Sequence, residues 1–199
     1  MRKKIILFWI ISVLSLSGNC NNAFAAGPWK GKIIDVETKE PLEGAVVLAV
    51  WERVYRTPAG ANSYFYEAKE VVTNKAGEFE MSSYTTINLL PIISYMRGPL
   101  FTIFKPGYGS VNGMALGGYF TGVAPEEQDF KLEEKRYRYA AGVVELPKLK
   151  TREERLEAQS NAIPLGGVPD EKMPILLSLI NVERKSLGLD PTHVRGRRR

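Results

Sequence analysis

Apolar residues along this chain recur with a period of two or in unbroken runs of under ten, cut apart by glycine, proline and asparagine. Residues 29–36, Trp-Lys-Gly-Lys-Ile-Ile-Asp-Val, predict a first strand, and Glu37 to Gly44 is turn material with Pro41 and Gly44. Residues 45–53 are almost continuously apolar and rich in valine, which favours a central strand buried on both faces over a helix. Val54 to Ser63, with Pro58 and Gly60, reads as a loop, and Tyr64 to Thr73 as a third strand. Asn74-Lys75-Ala76-Gly77 predicts a tight turn in which glycine takes positive φ. Phe79 and Met81 then alternate with polar residues, as in a strand with one wet face.

The next stretch is less regular. Residues 83–98 hold Leu89, Leu90, Ile92, Ile93, Tyr95 and Met96 but are broken by Pro91 and end at Gly98. They read as an irregular or briefly helical insertion lying across a sheet edge. Leu100 to Phe104 predicts a strand, and Pro106 to Gly118 a glycine-rich loop. Tyr119 to Val123 and Asp129 to Glu133 read as short closing strands. Many short strands between Gly/Pro turns imply a mainly β chain, a sandwich of seven or so antiparallel strands.

The pattern changes period near residue 147. Thr151 followed by Glu154 is a capping-box signature opening a helix. Ile163 to Pro169 is a Pro/Gly linker. A second helix is expected from about Asp170 to Leu187, with Met173, Leu176, Leu177, Ile180 and Leu187 forming one apolar stripe and Gly188 ending it. This stripe either docks on the sandwich or waits for a partner, and docking is the preferred expectation.

The N-terminus adds a compartment. Arg2, Lys3 and Lys4 precede a mostly apolar stretch from Ile5 to Leu16, too short for the roughly 20 residues a bilayer span needs. Ala23-Phe24-Ala25 puts small residues where a signal peptidase reads them. Residues 1–25 are thus expected to be a cleaved export signal, 26–147 the sandwich and 148–199 a helical extension with a basic tail. The implied location is periplasmic or secreted, with no membrane span after cleavage. A lipid anchor on Cys20 is disfavoured, because Asn19 stands where lipoprotein signals place a small residue.

Removing the leader leaves 24 basic against 22 acidic residues, a formal charge of +2, and no cysteine. That excludes a disulfide framework, a thiol nucleophile and a thiolate metal site. Four arginines, Arg195, Arg197, Arg198 and Arg199, crowd the C-terminus, so the body itself is near neutral and offers no nucleic-acid surface.

Three segments in this order resemble the carboxypeptidase regulatory-like domain, a transthyretin-like sandwich. They are Gly31 to Asp35 with Thr38, Pro41-Leu42, Gly44-Ala45 and Val47; Thr73-Asn74-Lys75-Ala76-Gly77-Glu78-Phe79; and Phe104-Lys105-Pro106-Gly107-Tyr108. The resemblance covers roughly residues 29–132. Lys39 stands where the family often has glycine, and Asn74 where it usually has aspartate. The resemblance implies an accessory module: in the peptidases that carry it, catalysis belongs to a neighbouring zinc domain. Similar domains recur alone in bacterial envelope proteins, and the same sandwich class includes carbohydrate-binding folds.

Candidate chemistry is sparse. The single histidine, His193, sits beside the terminal arginines, whereas a histidine metal site needs two or three ligands. Glu126, Glu127 and Asp129, and the pair Glu133-Glu134, are carboxylates of the right type for acid–base work but read better as solvated edge charges. No metal, cofactor or catalytic residue is therefore expected. Among the tyrosines, Tyr64 and Tyr66 share a strand face by period two and, with Tyr108, are the candidate ligand-binding residues. The function expected is a non-catalytic exported interaction module of the cell envelope. It would bind a protein partner through sandwich loops or the C-terminal helices; the alternative is a carbohydrate or cell-wall binding domain.

Overall fold

The computed structural model describes residues 23–121, 139–140, 142–164 and 167–192. The predicted leader up to residue 22, the carboxylates of 126–134, and His193 with the terminal arginines lie outside them. Ten strands and three α-helices occur among the described residues: β1 (Ala23–Ala26), β2 (Trp29–Asp35), β3 (Val46–Thr57), β4 (Gly60–Val72), β5 (Glu78–Met81), β6 (Tyr84–Ile87), β7 (Ser94–Phe104), β8 (Val111–Met114), α1 (Gly117–Phe120), β9 (Tyr139–Ala140), β10 (Val143–Leu146), α2 (Arg152–Asn161) and α3 (Pro174–Ser186). Two four-stranded sheets, ordered β5-β2-β10-β9 and β4-β3-β7-β8, make a mainly β sandwich-like fold, and β1 pairs with β6 in a separate ribbon.

β3 explains the layering. Its residues point alternately to opposite faces. Val47, Ala49 and Trp51 meet Trp29, Ile33, Met81 and Val144 of the facing sheet, and all are buried. Val46, Leu48 and Val50 point the other way and are buried under Met173, Leu176, Leu177 and Ile180. A strand covered by a sheet on one side and helices on the other has no wet face, which is why its sequence is an unbroken apolar run. The inter-sheet core is aromatic, with Trp29 and Trp51 ring centres 5.6 Å apart and the Phe120 ring 5.0 Å from both Phe79 and Phe101. A Cβ on Gly31 would come within 2.8 Å of the Phe79 and Phe120 rings, so the backbone there approaches them without a side chain.

The turns follow their residues. Asn74 Oδ1 accepts from the Ala76 and Glu78 amides, and Gly77 takes φ +71° with no room for a Cβ, which would sit 2.5 Å from the Ile33 carbonyl. Lys39 takes the left-handed backbone its turn demands, at φ 61°, and its Nζ pairs with Glu145 at 2.8 Å.

The fold differs from the sequence reading in five places. The loop expected over 54–63 is mostly ladder: β3 and β4 pair out to Thr57 and Gly60, leaving Pro58-Ala59 as the connection. The insertion at 83–98 contains no helix; β6 and the start of β7 occupy its ends, and only 88–93 leaves the ladder. The glycine-rich stretch after Pro106 contains β8, and α1 stands where a strand from Tyr119 was expected. β10 was not anticipated and pairs parallel to β2, so the sandwich is not wholly antiparallel. β1 includes three residues of the predicted leader, Ala23 to Ala25, paired to β6.

The C-terminal helices dock on the sandwich. Thr151 caps α2 through the expected reciprocal bonds with Glu154. α3 begins at Pro174, preceded by a 3₁₀ turn at Asp170–Lys172. Its first turn is capped from the sheet: the Glu70 carboxylate accepts from the Ile175 and Leu176 amides at 2.9 and 2.8 Å. Burial is the largest influence on Glu70 and holds its carboxyl above the ordinary range despite those two donors. Glu183, 1% exposed, is held by Arg155 at 2.6 and 2.8 Å and by the Gly107 amide at 3.1 Å. No helix among the described residues is long and apolar enough to cross a membrane.

Candidate functional site

The Thr57 end of β3 is rich in arginine, tyrosine and aliphatic residues. Residues 53–66 and 81–97 contain Arg53, Arg56 and Arg97 but no aspartate or glutamate. The ladder brings these stretches together: Arg53 pairs with Tyr64 on one side and Met96 on the other, and Tyr55 with Asn62 and Ser94.

The 88–93 loop projects from this end. Leu89 is 80% and Ile92 88% exposed, and Leu90 and Ile93 are about half exposed. Ten large hydrophobic side chains are exposed among the described residues, and seven of them, Tyr64, Ile87, Leu89, Leu90, Ile92, Ile93 and Tyr95, lie here. The expected role of 83–98 as an edge cover therefore fails for its middle, which is turned to solvent.

The loop is nevertheless built. Asn88 and Ser94 are buried at its base. Asn88 Nδ2 donates to the Ser94 carbonyl at 2.8 Å, and Asn88 Oδ1 accepts from the Leu90 amide and the Ser94 hydroxyl. The Ile93 and Ser94 amides both donate to the Leu90 carbonyl, and the Arg56 amide donates to Ile93. Pro91 has no N–H to satisfy.

Beneath the loop lies a ring of tyrosines and arginines. The Arg53 guanidinium stands 5.1 Å from the Tyr66 ring centre and donates to the Ile87 carbonyl at 3.3 Å. Arg56 stands 5.3 Å from the Tyr95 ring centre. Neither pairs with a carboxylate among the described residues. Arg97 does: it binds the buried Glu52 through Nε at 2.8 Å and through Nη2, and reaches the Ser63 hydroxyl at 2.7 Å. Tyr64 meets Tyr55 edge-on at 5.7 Å. The Tyr84 hydroxyl is pushed above its ordinary value first by burial and then by its neighbours Tyr66 and Glu67.

Of the three tyrosines named from sequence, two are brought together. Tyr64 and Tyr66 line one open cleft of about 320 Å³ with Arg53, Tyr55 and Phe65. Tyr108 is elsewhere. It forms a β-bridge with Lys148 and lies beside Asp35 near the Val46 end of β3, on the order of 20 Å away by strand rise.

No family model, curated protein or solved structure matches this chain. The reading of the site therefore stands on its geometry. That geometry combines exposed aliphatic side chains, aromatic rings and two guanidinium groups without a carboxylate partner among the described residues, which suit surface adhesion. No group of three or more His, Cys, Asp or Glu able to hold a metal occurs among the described residues. The loop-end arginines were missed in the sequence reading because their signal is an absence, the lack of acidic residues across two segments distant in the chain.

Proposed function

We propose that this protein is a non-catalytic exported interaction module of the cell envelope, related to the carboxypeptidase regulatory-like sandwiches, that docks through the loop end carrying residues 88–93. One observation carries the reading: most of the exposed large hydrophobic side chains among the described residues gather at that end. An apolar patch of this kind on a soluble body marks an interaction site. The C-terminal stripe is not available for the same role, since Leu176, Leu177 and Ile180 are spent on the sheet.

The test is capture from native envelope with the intact chain and with a Leu89→Ser, Ile92→Ser double variant. A component retained by the first and lost by the second is the expected result; identical capture by both would refute docking through this end. The cleft of Arg53, Tyr55, Tyr64 and Tyr66 supports a second reading as a carbohydrate site, because tyrosine offers a sugar both apolar area and a hydroxyl. Glycan binding abolished by Tyr64→Ala would favour it, and no glycan signal at high protein concentration would end it.

A further inference from the structure

We infer that the surface this end recognises is an anionic lipid bilayer, entered by the 88–93 loop; the inference rests on the docking role proposed above and names its partner. The loop is an apex and not a groove. Its most exposed residues, Leu89 and Ile92, project at 80% and 88% exposure. A protein partner would need a pocket shaped to that apex, whereas hydrocarbon receives any apolar shape.

Three features of the loop fit that medium. The first is its backbone. Groups that enter hydrocarbon must be satisfied internally. Here Asn88 and the Leu90 carbonyl satisfy the Leu90, Ile93 and Ser94 amides, Pro91 has none, and the Ser94 and Ile93 carbonyls accept from Asn88 and Arg56; the Leu89 and Ile92 amides have no partner among the described residues, which holds entry to the headgroup level, where water and phosphate serve them. The second is the order of side chains along the projection. Aliphatic residues lie at the tip, with Tyr95 and Tyr64 behind them, as tyrosine favours the level of lipid headgroups. The third is charge. Arg56 is exposed at the base of the loop, Arg53 lies beside it, and no carboxylate occurs in residues 53–66 or 81–97. Guanidinium groups that have no carboxylate partner among the described residues, set behind an apolar tip, are complementary to a negatively charged membrane surface. Insertion is shallow and reversible, since it rests on four aliphatic side chains and two cations.

The test places a single environment-sensitive fluorophore on Ile92→Cys in a full-length Cys20→Ser chain and adds phosphatidylcholine vesicles with or without phosphatidylglycerol. The local probe reads the loop itself, whatever the N-terminal apolar segment does. The expected result is a blue shift, quenched by acyl-chain spin labels, that is stronger with the anionic vesicles. A probe on Val182→Cys, exposed on α3, stays in water. Leu89→Ser raises the lipid needed for half-maximal shift roughly tenfold, and Arg56→Gln raises it roughly fivefold. A probe at residue 92 that stays in water with both vesicles, or equal shifts at 92 and 182, overturns the lipid assignment. If in that case the Leu89→Ser, Ile92→Ser chain still loses an envelope protein, the docking reading survives with a protein partner; if capture is also unchanged, both fall.

Discussion

The two ends of β3 face the same problem and meet it differently. At the Val46 end, the outer face of the sheet is apolar, and α3 is laid across it with matched side chains, a cap from Glu70 and the Arg155–Glu183 pair. At the Thr57 end no element among the described residues covers the aliphatic side chains of 88–93, although that loop is closed by Asn88 and Ser94. Apolar surface is thus hidden where it holds the fold together and displayed on a rigid support where it does not. Display of this kind costs stability nothing further once the loop is ordered, and it leaves the hydrophobic contribution to be realised on docking.

The contrast can be broken by substitutions, beginning with those of largest effect. Arg155→Ala leaves Glu183 buried without its partner and should cost about 3–5 kcal/mol in urea unfolding; a loss under about 1 kcal/mol would mean that the helices do not close on Glu183. Leu176→Ala opens a cavity between α3 and Leu48 and should cost about 2–5 kcal/mol. A cost near zero would place α3 off the sheet.

Glu70→Ala removes the acceptor for two α3 amides and should cost about 1–2 kcal/mol, seen as a lower unfolding midpoint. Asp35→Asn tests the opposite end of β3 from the loop by pH. Burial pushes the Asp35 carboxyl up, but hydrogen bonds from the Thr38 and Glu37 amides and from Tyr108, with the Lys148 charge, outweigh it and hold the group below its ordinary value of 3.8. Its stabilisation is therefore present above that value and lost as pH falls through the lower folded one. The wild-type chain should lose stability over that acid range, and Asp35→Asn should flatten the loss; an unchanged acid profile would discount the network. Glu70 runs the other way, its raised carboxyl contributing stability that fades as pH rises through the folded value. Last, Leu89→Ser with Ile92→Ser should shift unfolding by no more than about 0.5 kcal/mol. A larger destabilisation would show that these residues support the fold after all, and the two ends would no longer differ in kind.

Much of the fold was legible because local patterns agreed with tertiary need. The valine-rich run of 45–53, the Asn74–Gly77 turn, the capping box at Thr151 and the stripe through Met173 and Ile180 all form as read. What failed was pairing at a distance. Val54 to Ser63 reads as loop because Pro58 and Gly60 sit within it, yet partners on both sides extend the ladder to Thr57. β10 was passed over because four residues carry too little pattern to announce a strand; its place beside β2 is set by a parallel partner more than a hundred residues earlier. At the candidate site, Tyr64 and Tyr66 line one cleft together with Phe65 between them, while Tyr108, grouped with them by residue type alone, lies toward the other end of β3.

The sequence by itself determined a mainly β chain, the double burial of β3 and the apolar stripe of α3, because periodicity within a segment is a property of that segment's own residues. Only the tertiary structure decided that α3 is used up in covering the sheet while Leu89 and Ile92 are left uncovered. An apolar residue carries the same driving force to leave water wherever it stands. Whether it is relieved depends on which other element reaches it, and that is fixed by long-range register and not by local composition.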